Sequence, residues 1–252
     1  MFEWEDKRWF PPLLRRMQTD YIGWMVHQFA AYGPVLAHFT EMIETIDAKN
    51  WVDLCSGNGG PAIWIYTEIK KQKSVSSGLR LQLTDLYPGF PLNLPKDVEP
   101  VLQSVDALNP DGKLSGVRTM FNAYHHFDEA SKIMLIQKHG PHGFFVVEIL
   151  QPNVVVFLKI LIATTIGQLI LAPFVKPFSW TRMLLTYIIP VNLFTVCWDG
   201  LVSVLRVSSP AKMEELVKKN IPNGCSYKAG VSGPFWAPLT WFYIIPSTHE
   251  KT

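Results

Sequence analysis

Three cysteines in 252 residues (Cys55, Cys197 and Cys225) are too few and too far apart to frame a disulfide scaffold. Their odd number fits a reducing compartment. No two of them have metal-ligand spacing, so no metal is expected. There is no long basic run and the formal net charge is only +2, which excludes a nucleic-acid partner on charge grounds. No internal repeat and no low-complexity tract interrupts the chain. The opening MFEWEDKRWF mixes acids and bases before any apolar run, so it does not read as a secretory signal. What is left is enough length for one large α/β domain with elaborations, and a 48% apolar content that is unevenly distributed.

The chain is organised around Trp51–Pro61, WVDLCSGNGGP. An apolar pair leads to Asp53, and Gly57, Gly59 and Gly60 then crowd into four positions. This predicts a buried strand ending near Leu54, a tight glycine turn, and a helix opening near Pro61. Glycine accepts positive φ and lets a ligand approach the main chain closely. Proline suits a first helical position, where its missing N–H is not needed. A helix N-terminus offers free N–H groups and partial positive charge to an anionic ligand end.

Residues 1–46 read as helical, with one helix opened by Pro11-Pro12 and running through Tyr21–Phe29, and a second reaching about Ile46. They predict a packed cap, or a lid over a ligand site. Beyond the glycine turn come a helix over Ala62–Lys71, a solvated loop in KKQKSVSSG and a strand over Leu79–Leu83 ending at Asp85. Proline-rich coil follows to Pro100, then a strand-like piece over Val101–Asp106 and a strand over Arg118–Ala123. A helix from Asp128 to about His139 directs Ile133, Met134 and Ile136 inward, and Gly143–Ile149 is a buried strand. This alternation predicts a doubly wound, mostly parallel sheet. After an apolar stretch at 152–207, a helix opens at Ser209-Pro210, and strands Cys225–Val231 and Leu239–Ile245 close the chain.

That order of parts, with its closing strand pair, resembles a class I S-adenosylmethionine-dependent methyltransferase over roughly 50–150 and 209–246. Asp53-Leu54-Cys55-Ser56-Gly57-Asn58-Gly59 is similar to the family's first motif, with Cys55 where many members carry glycine. The resemblance implies a Rossmann-like methyltransferase core at 48–151 and 208–252, ended by a reversed β-hairpin. An N-terminal helical cap takes 1–47 and a helical apolar insertion takes 152–207. It also implies S-adenosylmethionine as cofactor. Asp53, Ser56, Gly57, Asn58 and Gly59 would serve at the turn, Asp85 with Leu86 at the ribose, and Asp106 with Ala107 at the adenine. Asn122 belongs to the stretch Phe121–Phe127, whose His-rich turn faces cofactor and substrate. A nicotinamide site is the competitor, since Gly57-x-Gly59-x-x-Ala62 fits its pattern. Its ribose acid is expected about 20 residues on, whereas Asp85 lies 28 beyond Gly57.

In-line methyl transfer from a sulfonium needs mainly proximity and orientation, effects that can supply roughly 7–11 kcal/mol. For an oxygen acceptor, His125 and His126 are the candidate bases, because histidine titrates near neutral pH. Glu148 is a further candidate at the same rim.

Asn153–Val175 is long and apolar, interrupted by Lys159 and Gln168, while Met183–Val204 holds Pro190, Asn192 and Asp199. A bilayer span, a dimer interface, and a helical elaboration that dips into one leaflet or forms an apolar chamber are the three readings. The third is favoured. Lys159 near the middle of a span would cost about 2.5–3.5 kcal/mol, and the connector KPFSWTR, with Lys176, Phe178, Trp180 and Arg182, suits a membrane surface. Asp199 and Arg206 are expected to pair, or to read a polar substrate head. The expectation is methyl transfer to a hydrophobic or lipid-like small molecule on the cytoplasmic side of a membrane, with a homo-oligomer possible. Trp4, Trp9, Phe10 and Trp24 would extend the same apolar surface. The alternative function is a non-catalytic S-adenosylmethionine-binding module or a membrane-associated interaction protein.

Overall fold

The computed structural model describes residues 1–71, 78–110 and 114–247. The loop expected in KKQKSVSSG falls largely on 72–77, outside the described residues. Seven strands form one sheet: β1 (Asn50–Asp53), β2 (Arg80–Leu83), β3 (Val98–Pro100), β4 (Val117–Phe121), β5 (Phe144–Glu148), β6 (Cys225–Ser232) and β7 (Leu239–Pro246). Their order is β3-β2-β1-β4-β5-β7-β6. The first five run parallel, and β7 inserts antiparallel between β5 and β6, with Val146 opposite Phe242. The expected mostly parallel sheet and reversed hairpin are therefore present.

β4 and β5 are buried along their whole length, as a sheet covered on both faces requires. Pleating sends Phe121, Phe145 and Val147 to one side, where they pack with Phe39, Trp64 and Ile65. Met120, Phe144 and Val146 face the other side, against Leu135, Leu216 and Val217. The first layer is built by α2 (Leu36–Ile46) and α3 (Gly60–Lys70), the second by α4 (Glu129–His139) and the C-terminal helix α8 (Pro210–Asn220). Asp128 and Ser209 cap α4 and α8 by accepting from Ser131 N at 2.8 Å and Lys212 N at 3.3 Å.

Several expectations are corrected. In α4 it is Leu135, not Met134, that is buried, and Met134 faces solvent. The third strand lies at 98–100, inside the stretch read as coil. Its Pro100 is tolerated because β3 is an edge strand. Residues 101–106 leave the sheet after one further bond, Val101 N to Leu83 O at 2.9 Å. The N-terminus is not helical from its start either. Residues 1–11 form an irregular strap, and α1 (Pro12–Phe29) begins behind it.

The insertion carries α5 (Val154–Leu171), α6 (Trp180–Ile188) and α7 (Val191–Arg206), with an 80° bend between α6 and α7. Among the described residues α5 is the one helix long and apolar enough to cross a bilayer, with a mean hydropathy of 2.3 and only 17% of it buried. Its polarity is inverted. Thr164, Gln168, Thr186, Asn192 and Thr195 are buried, while Val154, Ile170, Trp180, Ile188 and Phe194 are exposed. Both polar interruptions of α5 turn toward protein: Gln168 is buried and Lys159 Nζ donates to Trp236 O at 3.2 Å. Arg182 is not a surface cation. It is buried and donates to Val175 O, Pro177 O and Asp20 Oδ2 at 2.9, 3.0 and 3.0 Å.

Candidate functional site

β1 delivers the chain into a turn of three left-handed residues, Cys55, Gly57 and Gly59, at φ 55°, 58° and 82°. Cys55 pays for its side chain here with backbone strain that glycine would avoid. Gly59 suits its left-handed backbone at φ 82°, and an added Cβ there would also crowd Leu83 Cδ1 at 2.7 Å. The carboxylate of Asp85, just beyond β2, closes the turn, accepting from Gly57 N at 2.8 Å and from Tyr87 N at 2.7 Å. Burial raises its pKa against those two bonds.

Helix α1 lies directly on this turn. A Cβ on Gly60 would meet Gly23 Cα at 2.6 Å, and Asn58 Nδ2 donates to Asp20 Oδ1 at 3.4 Å. Thr19 stands over Gly57. The lid reading of the N-terminal helices thus has a concrete form, with α1 as the roof of the glycine turn. Thr19, Asp20 and Gly23 were not foreseen as site residues. The one signal for Gly23 was a small residue within an otherwise bulky helix.

A cavity of about 1170 Å³ opens beside the turn. Ser56, Gly57, Asn58, Asp85, Leu86, Asn122, His125 and His126 all line it. Asn122, at the end of β4, has φ 51°, and its Oδ1 is buried without a hydrogen-bond partner. That oxygen is free to accept from a ligand. The remaining expected residues lie elsewhere. Asp53 is buried beneath the turn, where Thr119 Oγ1 donates to it and Trp51 Nε1 donates in turn to Thr119 at 2.7 Å. Burial pushes Asp53 up to about 7 despite that hydrogen bond. Gly59 shapes the turn without facing the cavity. Asp106 is exposed and caps its own turn, accepting from Leu108 N at 2.9 Å. Ala107 is buried, and its carbonyl accepts from His139 Nε2 at 2.9 Å. In this arrangement Asp106 holds its own backbone and does not reach the cavity.

The two histidines behave differently. Glu148, at the end of β5, accepts His125 N at 3.0 Å and faces His125 Nδ1 at 2.8 Å. A carboxylate only accepts, so Nδ1 carries the proton of that bond. Nε2 is buried without a hydrogen bond, 3.8 Å from Glu3 Oε1. His126 Nδ1 lies 2.6 Å from Asp6 Oδ1 and 3.4 Å from Glu3 Oε2. Burial alone would lower the His126 pKa. The Asp6 bond and the charges of Glu3, Glu5 and Asp6 outweigh it and raise the ring to about 10. As an imidazolium, His126 is unsuited to take a proton at neutral pH, which corrects its role as a candidate base.

Asp199 and Arg206 do not pair with each other. Each fastens the strap. Asp199 accepts from Trp4 N, Glu5 N and Gln18 Nε2 at 2.7, 3.1 and 2.9 Å. Arg206 Nη1 donates to Glu3 Oε1 at 3.2 Å and Asp6 Oδ2 at 2.7 Å. The strap also folds Phe10 into the interior and stacks Trp4 near Trp198, so of those two and Trp9 only Trp9 is largely exposed. The far cavity wall comes from the insertion, including Val156, Ile160, Ala163 and Val196.

No family model and no curated protein matches the chain. Solved structures do. The plantazolicin methyltransferase BpumL, in complex with a monoazolic desmethylPZN analog and SAH, aligns with a TM-score of 0.51 at 13% identity, covering 94% of this chain and 91% of that one. The same enzyme in complex with SAH aligns with a TM-score of 0.50 at 12% identity, covering 93% and 96%. The methyltransferase domain of bacterial CtHen1 aligns at 0.48 with 11% identity, covering 86% and 100%. The chain has the Rossmann-like fold of class I methyltransferases.

Proposed function

We propose that this chain is an S-adenosylmethionine-dependent methyltransferase acting on an apolar or lipid-like acceptor at a membrane surface. The observation that carries the cofactor is the joint placement of a glycine turn, the ribose-type acid Asp85 and the free Asn122 Oδ1 around one cavity, at the carboxyl ends of parallel strands. A neighbour of this fold was solved with SAH, which supports the same ligand here. Asp85 would accept from the ribose hydroxyls with lone pairs its two amide bonds leave free, and Asn122 Oδ1 would accept from the amino group. Transfer then runs by proximity and orientation. Of the two histidines, His125 is the one oriented by Glu148, and the strap must lift for an acceptor to reach it.

The acceptor class rests on the inverted insertion. Polar side chains face inward and apolar ones outward, the reverse of a water-facing surface. Lipid is the solvent that rewards this. A span is disfavoured because the first half of α5 has fixed contacts with other parts of the chain: Val156 packs with Leu150 and Val204, Lys159 donates to Trp236 O, and Ala163 O accepts from Tyr21 OH at 2.8 Å. The exposed Phe235 and Trp236 of the β6–β7 connection continue the same apolar face.

Calorimetric titration with S-adenosylhomocysteine tests the cofactor. Binding should weaken about 10- to 100-fold in Asp85→Ala, the loss of one or two bonds to a charged acceptor. Absent binding would end the proposal. Co-sedimentation with phospholipid vesicles tests the surface, with Ile188→Asp and Phe194→Asp expected to abolish pelleting. A full-length protein that stays in the supernatant refutes the membrane part. Cofactor binding without transfer of labelled methyl to lipid or soluble extracts would point to a non-catalytic module.

A further inference from the structure

The cluster beneath the strap contains two buried ligand atoms with no partner. Glu3 Oε2 and His125 Nε2 are both buried and without a hydrogen bond. Glu3 lies near the N-terminus and His125 near the middle of the chain, and the fold brings them together. Two such atoms of ligating type facing one another are what a bound ion would satisfy.

We infer that Glu3, His125 and His126 form a binding site for one divalent first-row transition ion. One ligand atom from each lies within 4.8 Å of the others. His125 Nε2 and Glu3 Oε1 stand 3.8 Å apart, and His126 Nδ1 and Glu3 Oε2 stand 3.4 Å apart. Neither contact is a hydrogen bond, and both separations are close to the spacing of two ligands that share an ion at about 2.0–2.2 Å. The supporting contacts are also in place. Glu148 accepts from His125 Nδ1–H and so directs Nε2 inward, the carboxylate–histidine arrangement that orients metal ligands. Arg206 donates to Glu3 Oε1 and so fixes the carboxylate between the two rings. Binding displaces the proton that His126 Nδ1 shares with Asp6.

Two imidazole nitrogens and one carboxylate oxygen suit zinc, iron(II), cobalt(II) or manganese(II), and not the all-oxygen ions magnesium and calcium. Because Glu3 lies in the strap and both histidines follow β4, the ion ties the N-terminus to the rim of the cavity. An ion-bound Nε2 is not a base, so the two roles of His125 exclude each other in any one state.

The test is titration of full-length, untagged, metal-free protein with Co²⁺, followed by its visible d–d absorption and by bound metal per chain. One equivalent is expected, displaced by Zn²⁺. Glu3→Ala and His125→Ala should each abolish it, and Glu148→Gln should weaken it about 10- to 100-fold. Far-UV circular dichroism confirms that each variant is folded. A rise in the melting temperature of the wild type with Zn²⁺ provides a readout that needs no variant. No uptake by the wild type, or uptake unchanged in folded Glu3→Ala and His125→Ala, overturns the assignment. Cofactor affinity is measured separately on the same samples, so failure of one reading leaves the other decidable.

Discussion

Replacing Asp199 by alanine removes one carboxylate that accepts three bonds, from Trp4 N, Glu5 N and Gln18 Nε2. Hydrogen bonds to a charged group contribute about 1.5–3 kcal/mol each, so a naive sum would be large. Two effects shrink it. Burying the carboxylate has its own cost, seen in the raised Asp199 pKa. Once the strap opens, the freed amides of Trp4 and Glu5 also reach water. The net loss should approach one bond rather than three, about 1.5–3 kcal/mol. That corresponds to strap opening about 10- to 100-fold more often. Hydrogen exchange reads this directly, because Trp4 N–H and Glu5 N–H are the donors. Their exchange should quicken by that factor in Asp199→Ala, with trypsin gaining access to Lys7 and Arg8. Amides of β5, which belong to the sheet, should keep their protection. Unchanged exchange at Trp4 and Glu5 would show that the other contacts hold the strap, and the reasoning would fail.

Two further outcomes follow from the core. Burial lowers the His139 pKa to about 4 against the hydrogen bond to Ala107 O. The native state therefore binds fewer protons than the unfolded chain below pH 6.5. Stability should fall as pH drops from about 6.5 to about 4, by about 3 kcal/mol. Urea denaturation across that range checks it, and His139→Gln should flatten the slope. Gly60→Ala would drive a Cβ to 2.6 Å from Gly23 Cα. It should cost about 1–3 kcal/mol by overpacking and weaken binding of S-adenosylhomocysteine, because α1 must lift off the turn. Equal affinity in the folded variant would show that the α1–α3 contact is irrelevant to the site.

The sheet was legible in the sequence because its signals are local. Apolar strands end near Asp53, Asp85 and the Tyr124-His125-His126 turn, and the closing hairpin pairs a partly exposed run with a largely apolar one. The glycine turn was legible for the same reason. Asp106 was misplaced because a strand end looks like any acid after an apolar pair, and only the early departure of the chain from β3 separates them. The strap was invisible. MFEWEDKRWF has no period; its acids find His126 and Arg206, and its backbone amides find Asp199, about 120–200 positions away. Charges that pair over such separations leave no trace in local spacing. Arg182 shows the converse: a cation beside Trp180 reads as interfacial, yet Asp20, contributed by α1, draws it inside.

Asp20 has one consequence that reaches beyond packing. One of its oxygens accepts from Asn58 in the glycine turn and the other from Arg182 at the start of α6. A single carboxylate thus links the floor of the cavity to the helix whose Trp180 and Ile188 face outward. Any occupant of one side that favours a particular position of Asp20 must bias the other side by the same free energy, whichever binds first. Affinity for cofactor measured on vesicles and affinity for vesicles measured with cofactor are then one coupling constant observed from two directions. Arg182→Met, which cuts that link without emptying the space, should drive the constant toward unity.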